Sequence, residues 1–180
     1  MNEARLFAGV FIDKSVFSSI YSKIISEFDK VSFGKWVEDY NLHFTMKFIG
    51  DVERDEIPEI KNTLSDILVD YYSKLTFKGL FALPNKGLPR VLNAGINVED
   101  GALRESAVAI DSRLQELGFP KENREFVPHI TLLRMKSTNN GFRSLLAKYS
   151  DYYFGEMGSY KINLIESRLS PRGPIYKIIA

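Results

Sequence analysis

The 180-residue chain contains no cysteine, only two histidines, and nearly equal numbers of basic (24) and acidic (23) side chains. Without cysteine there is no disulfide framework, no thiolate metal site and no thiol nucleophile. A formal net charge of +1 argues against a broad, nonspecific nucleic-acid binder, which would be clearly basic, while leaving room for a local basic site. Long hydrophobic runs are also missing. The apolar stretch from Leu6 to Ile12 is too short for a signal-peptide core and far too short to cross a bilayer, so a cytoplasmic protein without membrane association is expected. No glycine-rich phosphate cradle is present, which disfavours an ATP-driven ligase. Two histidines also fall short of the three or more convergent ligands of a zinc enzyme. Neither a metal nor a cofactor is expected.

What is present is ordinary in bulk and unusual in pattern. Hydrophobic residues at 44% and charged residues at 26% suit a soluble globular chain of one compact domain. The two histidines, however, open the same tetrapeptide: His43-Phe44-Thr45-Met46 and His129-Ile130-Thr131-Leu132, 86 residues apart (129 − 43). Ala8-Gly9-Val10 and Ala94-Gly95-Ile96 repeat at the same offset, so that in each half the glycine precedes its histidine by 34 residues (43 − 9 and 129 − 95). Two motifs holding one offset without a gap predict a duplicated unit whose half-sites meet near a pseudo-two-fold axis. Turn signals in Leu83-Pro84-Asn85-Lys86-Gly87-Leu88-Pro89 place the seam there. One domain of two lobes follows, roughly residues 1–85 and 86–180, with strand exchange between the lobes allowed.

Periodicity predicts strands and helices in alternation. Residues 5–12 read as a buried strand. Asp13 or Ser15 caps a helix carrying Phe17, Ile20, Tyr21, Ile24, Ile25 and Phe28 on one stripe. A short strand at Trp36-Val37 and a stronger one at 42–49 precede a second helix from Glu56 to Tyr71. Strands at 74–82 and 90–98 follow. Leu103, Ala107, Ile110, Leu114 and Leu117 then mark a helix stopped by Gly118. The second histidine strand spans 127–134, with a helix near 141–149 and a closing strand pair at 160–169 and 174–179 around Ser170-Pro171-Arg172-Gly173. The fold class is α+β: two largely antiparallel sheets, helices on their outer faces, and a central cleft.

Strand alternation turns the motif into chemistry. His43, Thr45 and Lys47 project to one side, with Leu42, Phe44, Met46 and Phe48 on the other, and His129 shares a side with Thr131. Two facing repeats would gather two imidazoles and two hydroxyls in one volume. A phosphodiester suits that set. A neutral imidazole can take a proton from attacking water, an imidazolium can protonate the departing alkoxide, and the hydroxyls can hold the phosphate oxygens.

These residues resemble the 2H phosphoesterase superfamily, whose hallmark is the paired His-x-Thr-x motif. Within it the chain is similar to bacterial and archaeal RNA 2′,3′-cyclic phosphodiesterases, also called 2′-5′ RNA ligases. The likeness runs through Arg5-Leu6-Phe7-Ala8, Trp36-Val37, Asn41 to Gly50, Pro89-Arg90-Val91-Leu92, Phe126 to Arg134 and Gly173-Pro174-Ile175-Tyr176. The resemblance implies a bilobal fold and metal-independent hydrolysis of an RNA 2′,3′-cyclic phosphate to a 2′-phosphate end. It further implies His43 as proton donor to the 3′ oxygen, His129 as proton acceptor from water, and Thr45, Thr131 and Arg134 as phosphate-binding residues. A monomer acting on an RNA or oligonucleotide with a cyclic phosphate terminus is expected, with 2′-5′ ligation as an accompanying activity.

Lys47, Phe7 and Tyr176 are candidate substrate contacts, whereas Trp36 and Phe11 read as packing residues. Two features depart from the pattern. Strict alternation puts Arg134 on the side of Ile130 and Leu132, so it reaches a phosphate only through a bulge, twist or strand end. Asn93 stands where similar proteins often carry a large apolar or aromatic residue. The alternative functions are a phosphodiesterase for a small cyclic nucleotide or ADP-ribose cyclic phosphate, and a noncatalytic RNA-binding module.

Overall fold

Strand β1 (Glu3–Phe11) starts the chain, and its almost wholly buried run from Leu6 to Val10 makes it a central strand. The computed structural model describes residues 2–171 and 173–180, so Arg172 of the expected closing turn lies outside the described residues. After β1 the Asp13 carboxylate accepts from the Ser15 N–H at 2.9 Å, capping a one-turn helix α1 (Lys14–Phe17). The continuous helix expected here is broken after that turn and resumes as α2 (Tyr21–Phe28), which buries Tyr21, Ile24 and Phe28. β2 (Ser32–Trp36), a single 3-10 turn at Asp39–Asn41 and β3 (His43–Glu53) complete the first histidine segment.

The next helix, α3 (Ile57–Thr63), is shorter than expected. Arg113 explains the early stop: its guanidinium donates to the Thr63 carbonyl at 2.9 Å and pairs with the Asp66 carboxylate, pinning a turn where a helix would otherwise continue. Ile67 and Leu68 remain buried from that turn, and the expected helix residues Asp70–Tyr71 instead form β4. Long strands β5 (Leu75–Leu83) and β6 (Val91–Val98) precede α4 (Ala102–Glu116), beyond which Gly118 adopts the positive φ of a helix-ending residue. β7 (His129–Thr138), α5 (Phe142–Lys148), β8 (Tyr153–Met157), β9 (Tyr160–Lys161), β10 (Asn163–Ser170) and β11 (Gly173–Ile178) follow. β8 carries no clear alternation and is absent from the sequence expectation.

The protein is α+β, with antiparallel pairing in both large sheets. One sheet has the order β11-β10-β1-β3, the other β2-β7-β6-β5-β8, and β4 pairs with β9 separately. Read from the opposite edge, β8-β5-β6-β7 repeats the order β11-β10-β1-β3, with β2 added outside β7. The sheets do not divide at residue 85: β2 and β5, from the first half, belong to the sheet of the second histidine, and β10–β11 complete the sheet of the first. Side chains from both sheets and the helices merge into one hydrophobic core, and β3 touches β7 directly. The two motif strands are therefore neighbours, each beginning at its histidine.

Candidate active site

Each motif strand contains a bulge at the same place. In β3 the pairing with β1 steps from Lys47 opposite Ala8 to Thr45 opposite Gly9, leaving Met46 without a partner. In β7 the pairing with β6 steps from Leu133 opposite Leu92 to Thr131 opposite Asn93, leaving Leu132 out. An extra residue on one strand reverses the faces of everything beyond it. Histidine and threonine therefore share one face, and the residue five positions after each histidine returns to it. That residue is Phe48 in β3, 71% exposed, and the exposed Arg134 in β7. The bulge that Arg134 needs is present. Its charge lowers the pKa of both His43 and Tyr176.

The histidines are anchored alike. His43 Nδ1 is 2.7 Å from the Asn41 carbonyl oxygen and His129 Nδ1 is 2.8 Å from that of Val127, in both cases two residues back. A carbonyl only accepts, so Nδ1 carries the hydrogen and donates, leaving Nε2 as the free nitrogen: a base when the ring is neutral, an acid when it is charged. The surroundings differ. His43 sits in an aromatic corner, with ring centroids at 4.8 Å from Tyr176, 5.1 Å from Phe7 and 6.0 Å from Phe11. Burial in that corner, reinforced by Arg134 and opposed by the bond to Asn41, lowers its pKa below the ordinary 6.5. His129 has one aromatic neighbour, Phe81 at 6.1 Å. Burial likewise raises the Tyr176 pKa. The Asn41 side chain donates to the Pro174 carbonyl at 3.2 Å, tying β11 and hence Tyr176 to the His43 corner. Beyond it opens a cavity of about 610 Å³ flanked by Phe11, Tyr40, Asn41, Ile175 and Tyr176, within the size range of small-molecule sites.

Thr45 is half-buried on the His43 face, and the Thr131 hydroxyl donates to Asn93 Oδ1 at 3.2 Å. Among the described residues no three His, Asp or Glu side chains gather as a metal-binding group.

This arrangement of two motif strands has close parallels. The family model described as LigT like Phosphoesterase matches residues 20–93 and 95–176, each stretch holding one His-x-Thr-x tetrapeptide. The chain belongs to the LigT-like phosphoesterase family. Proteins named RNA 2′,3′-cyclic phosphodiesterase from Archaeoglobus fulgidus and Methanocaldococcus jannaschii are 37% and 38% identical to it. The first alignment covers 96% of both chains, and the second 97% of this chain and 98% of the relative. The crystal structure of TT0787 of Thermus thermophilus matches with a TM-score of 0.73 at 26% identity, over 98% of this chain and 95% of that one. The fold of Escherichia coli LigT in its apo form is also shared, with a TM-score of 0.71 at 23% identity, over 100% of this chain and 96% of LigT.

Two expectations for this LigT-like phosphoesterase are corrected by the bulge. Lys47 does not share the face of His43. Its side chain is 6% exposed, bonds Asp111 Oδ1 and the Pro120 carbonyl at 2.6 Å each, and so joins β3 to α4 and to the loop that leads to His129. Burial opposes the Asp111 carboxylate, but the bonds from Lys47 and the Glu122 N–H outweigh it and lower its pKa. Phe48, expected in the core, instead borders Phe7 in the cleft, with ring centroids 6.1 Å apart. Phe7 and Tyr176 do reach the His43 corner, although Phe7 is only 2% exposed and acts there as packing. Phe11, expected as packing, joins the same corner. Phe81 and Asn41 are site neighbours that carried no sequence signal for a role, and Asn93 stands out only as a departure from the pattern of similar proteins; each is brought in by pairing or by the Asn41 turn rather than by the motif.

Proposed function

We propose that the protein hydrolyses RNA 2′,3′-cyclic phosphate ends to 2′-phosphate ends by paired histidine catalysis without a metal. The observation that carries this reading is the pair of adjacent strands on which His43 with Thr45, and His129 with Thr131 and Arg134, share the cleft face, both imidazoles held by Nδ1. The names of the relatives supply the substrate class.

In the proposed step a water oxygen attacks phosphorus while His129 Nε2 takes its proton. The bond from phosphorus to the ribose 3′ oxygen breaks, and that oxygen receives the proton of His43 Nε2. The products are a free 3′-hydroxyl and a 2′-phosphomonoester. Thr45, Thr131 and Arg134 hold the nonbridging oxygens as charge gathers on them. Burial keeps His43 neutral in the free protein more than usual, and an arriving phosphodiester supplies the negative charge that favours its imidazolium. The aromatic corner and the cavity beside His43 suit the nucleoside, whose base can stack on an exposed ring. With an RNA 5′-hydroxyl in the place of water, the same displacement forms a 2′–5′ linkage. Both histidines lie on one chain, so a monomer suffices.

The test is an oligonucleotide ending in a 2′,3′-cyclic phosphate, incubated with the protein in chelator, with the product terminus identified. Conversion to a 2′-phosphate is expected. Binding without turnover would favour a noncatalytic RNA module, turnover of a small cyclic phosphate alone would move the substrate class, and turnover only with added metal would remove the mechanism.

A further inference from the structure

Thr131 has a companion that Thr45 lacks. Its cross-strand partner Asn93 is 0% exposed and lies on the cleft side of β6, between Leu92 and Ala94, which point into the core. Asn93 Oδ1 accepts the Thr131 hydroxyl at 3.2 Å. Asn93 Nδ2 is buried with no hydrogen-bond partner, one of three such side-chain atoms among the described residues. Opposite Asn93 on its other side is Phe81, whose side chain offers that amide no acceptor.

A buried amide N–H without an acceptor is unfavourable and rare. The nearest remedy is the Thr131 oxygen itself, which has lone pairs to spare. In the arrangement present, Thr131 spends its only proton on Asn93 and has none for a phosphate. Turning the carboxamide by half a rotation exchanges two groups of similar size within the same space. Nδ2 then faces the Thr131 oxygen, and the threonine proton is released toward the cleft. The equivalent place opposite Thr45 is Gly9, where even a Cβ would lie 2.7 Å from the Phe44 carbonyl oxygen. Only one of the two threonines has such a partner.

We propose that Asn93 is a positioning residue that switches with the ligand: when a phosphate enters, its carboxamide turns to donate to Thr131, and the Thr131 hydroxyl donates to a nonbridging phosphate oxygen. In the chain of bonds Asn93 Nδ2–H to Thr131 Oγ1–H to phosphate, the amide N–H gains the acceptor it lacks and Thr131 keeps its bond to Asn93 while its own proton serves the phosphate. This rests on the cyclic phosphodiesterase reading of the same site.

A double-mutant cycle tests it, with kcat and KM for the cyclic-phosphate oligonucleotide and, separately, the Kd for inorganic phosphate measured by titration. Asn93→Ala is expected to lower kcat/KM and weaken phosphate binding roughly tenfold when Thr131 is present, the upper end of the worth of one hydrogen bond between neutral groups. In a Thr131→Val background the same change is expected to cost less than about twofold, because the two residues act as one unit. Equal losses in both backgrounds would assign Asn93 a merely structural role, and no loss in either would remove any role; both outcomes overturn the proposal. Should Asn93→Ala fail to fold, Asn93→Ser, a milder truncation, carries the same comparison. If wild type leaves the cyclic phosphate untouched, the functional reading fails, and the phosphate titrations still decide the Asn93 switch.

Discussion

His129→Ala is expected to lower kcat/KM for a cyclic-phosphate oligonucleotide by about 10²–10⁴-fold, the usual worth of one positioned proton-transfer group. Its residual rate should also fall as pH rises. With the acceptor gone, turnover depends on His43 carrying its proton, and a donor is lost as pH passes upward through its pKa. That pKa is lowered by burial and by Arg134, so the fall should be centred below the ordinary histidine value of 6.5. In wild type the two groups titrate together and give a bell whose limbs belong to the pair. A bell alone therefore does not say which histidine gives the proton, but the slope left in the single variant does. A residual rate that rises with pH through the same region would exchange the two roles. His43→Ala is expected to lose a comparable factor, with the opposite slope.

Arg134→Gln should cost about 10²-fold in kcat, the scale of removing one preorganised donor from developing charge. Glutamine keeps much of the length and a hydrogen-bond donor but loses the fixed charge and the forked geometry that matches two phosphate oxygens. A second readout follows from the electrostatics of the free protein. Arg134 lowers the His43 pKa, so in a His129→Ala background its removal should move the fall of the residual rate with pH upward, toward the ordinary histidine value. Arg134 on the far side of β7 would do neither. Wild-type kcat in the single variant and an unmoved fall in the double variant would place the guanidinium outside the site.

The two His-x-Thr-x tetrapeptides were legible because a period of two is all that is needed to align His43 with Thr45 and His129 with Thr131, and pairing within the sheets keeps that alignment. The bulges were not. Met46 and Leu132 are ordinary apolar strand residues, and nothing local marks them as unpaired; the partner strands create the defect. That one step in each strand sends Lys47 into the core, brings Phe48 out, and turns Arg134 onto the face of His129. Lys47 could have been read correctly only with knowledge of Asp111, its partner 64 residues away.

The duplication was legible in its halves but misaligned in detail. The 86-residue offset holds for the bulged strands, whereas Gly9 lies opposite Thr45 and Gly95 opposite His129. The equal glycine spacing is thus two residues out of structural register, and the true counterpart of Gly9 is Asn93. In the fold, the α4 stripe survived because packing agreed with periodicity. The helix expected from Glu56 to Tyr71 did not, because Arg113, distant in sequence, captures its C-terminal turn. The added strand β8 likewise depends on a partner elsewhere in the chain, β5.

The most direct measurement is a reaction in ¹⁸O-labelled water with chelator present, comparing wild type with His43→Ala and His129→Ala, separating 2′- from 3′-phosphate termini by chromatography and reading the label by mass spectrometry. Wild type should give a 2′-phosphate carrying one labelled oxygen, and each variant should give the same product at least about a hundredfold more slowly. A 3′-phosphate product, or undiminished labelling in either variant, would contradict paired histidine catalysis at this cleft.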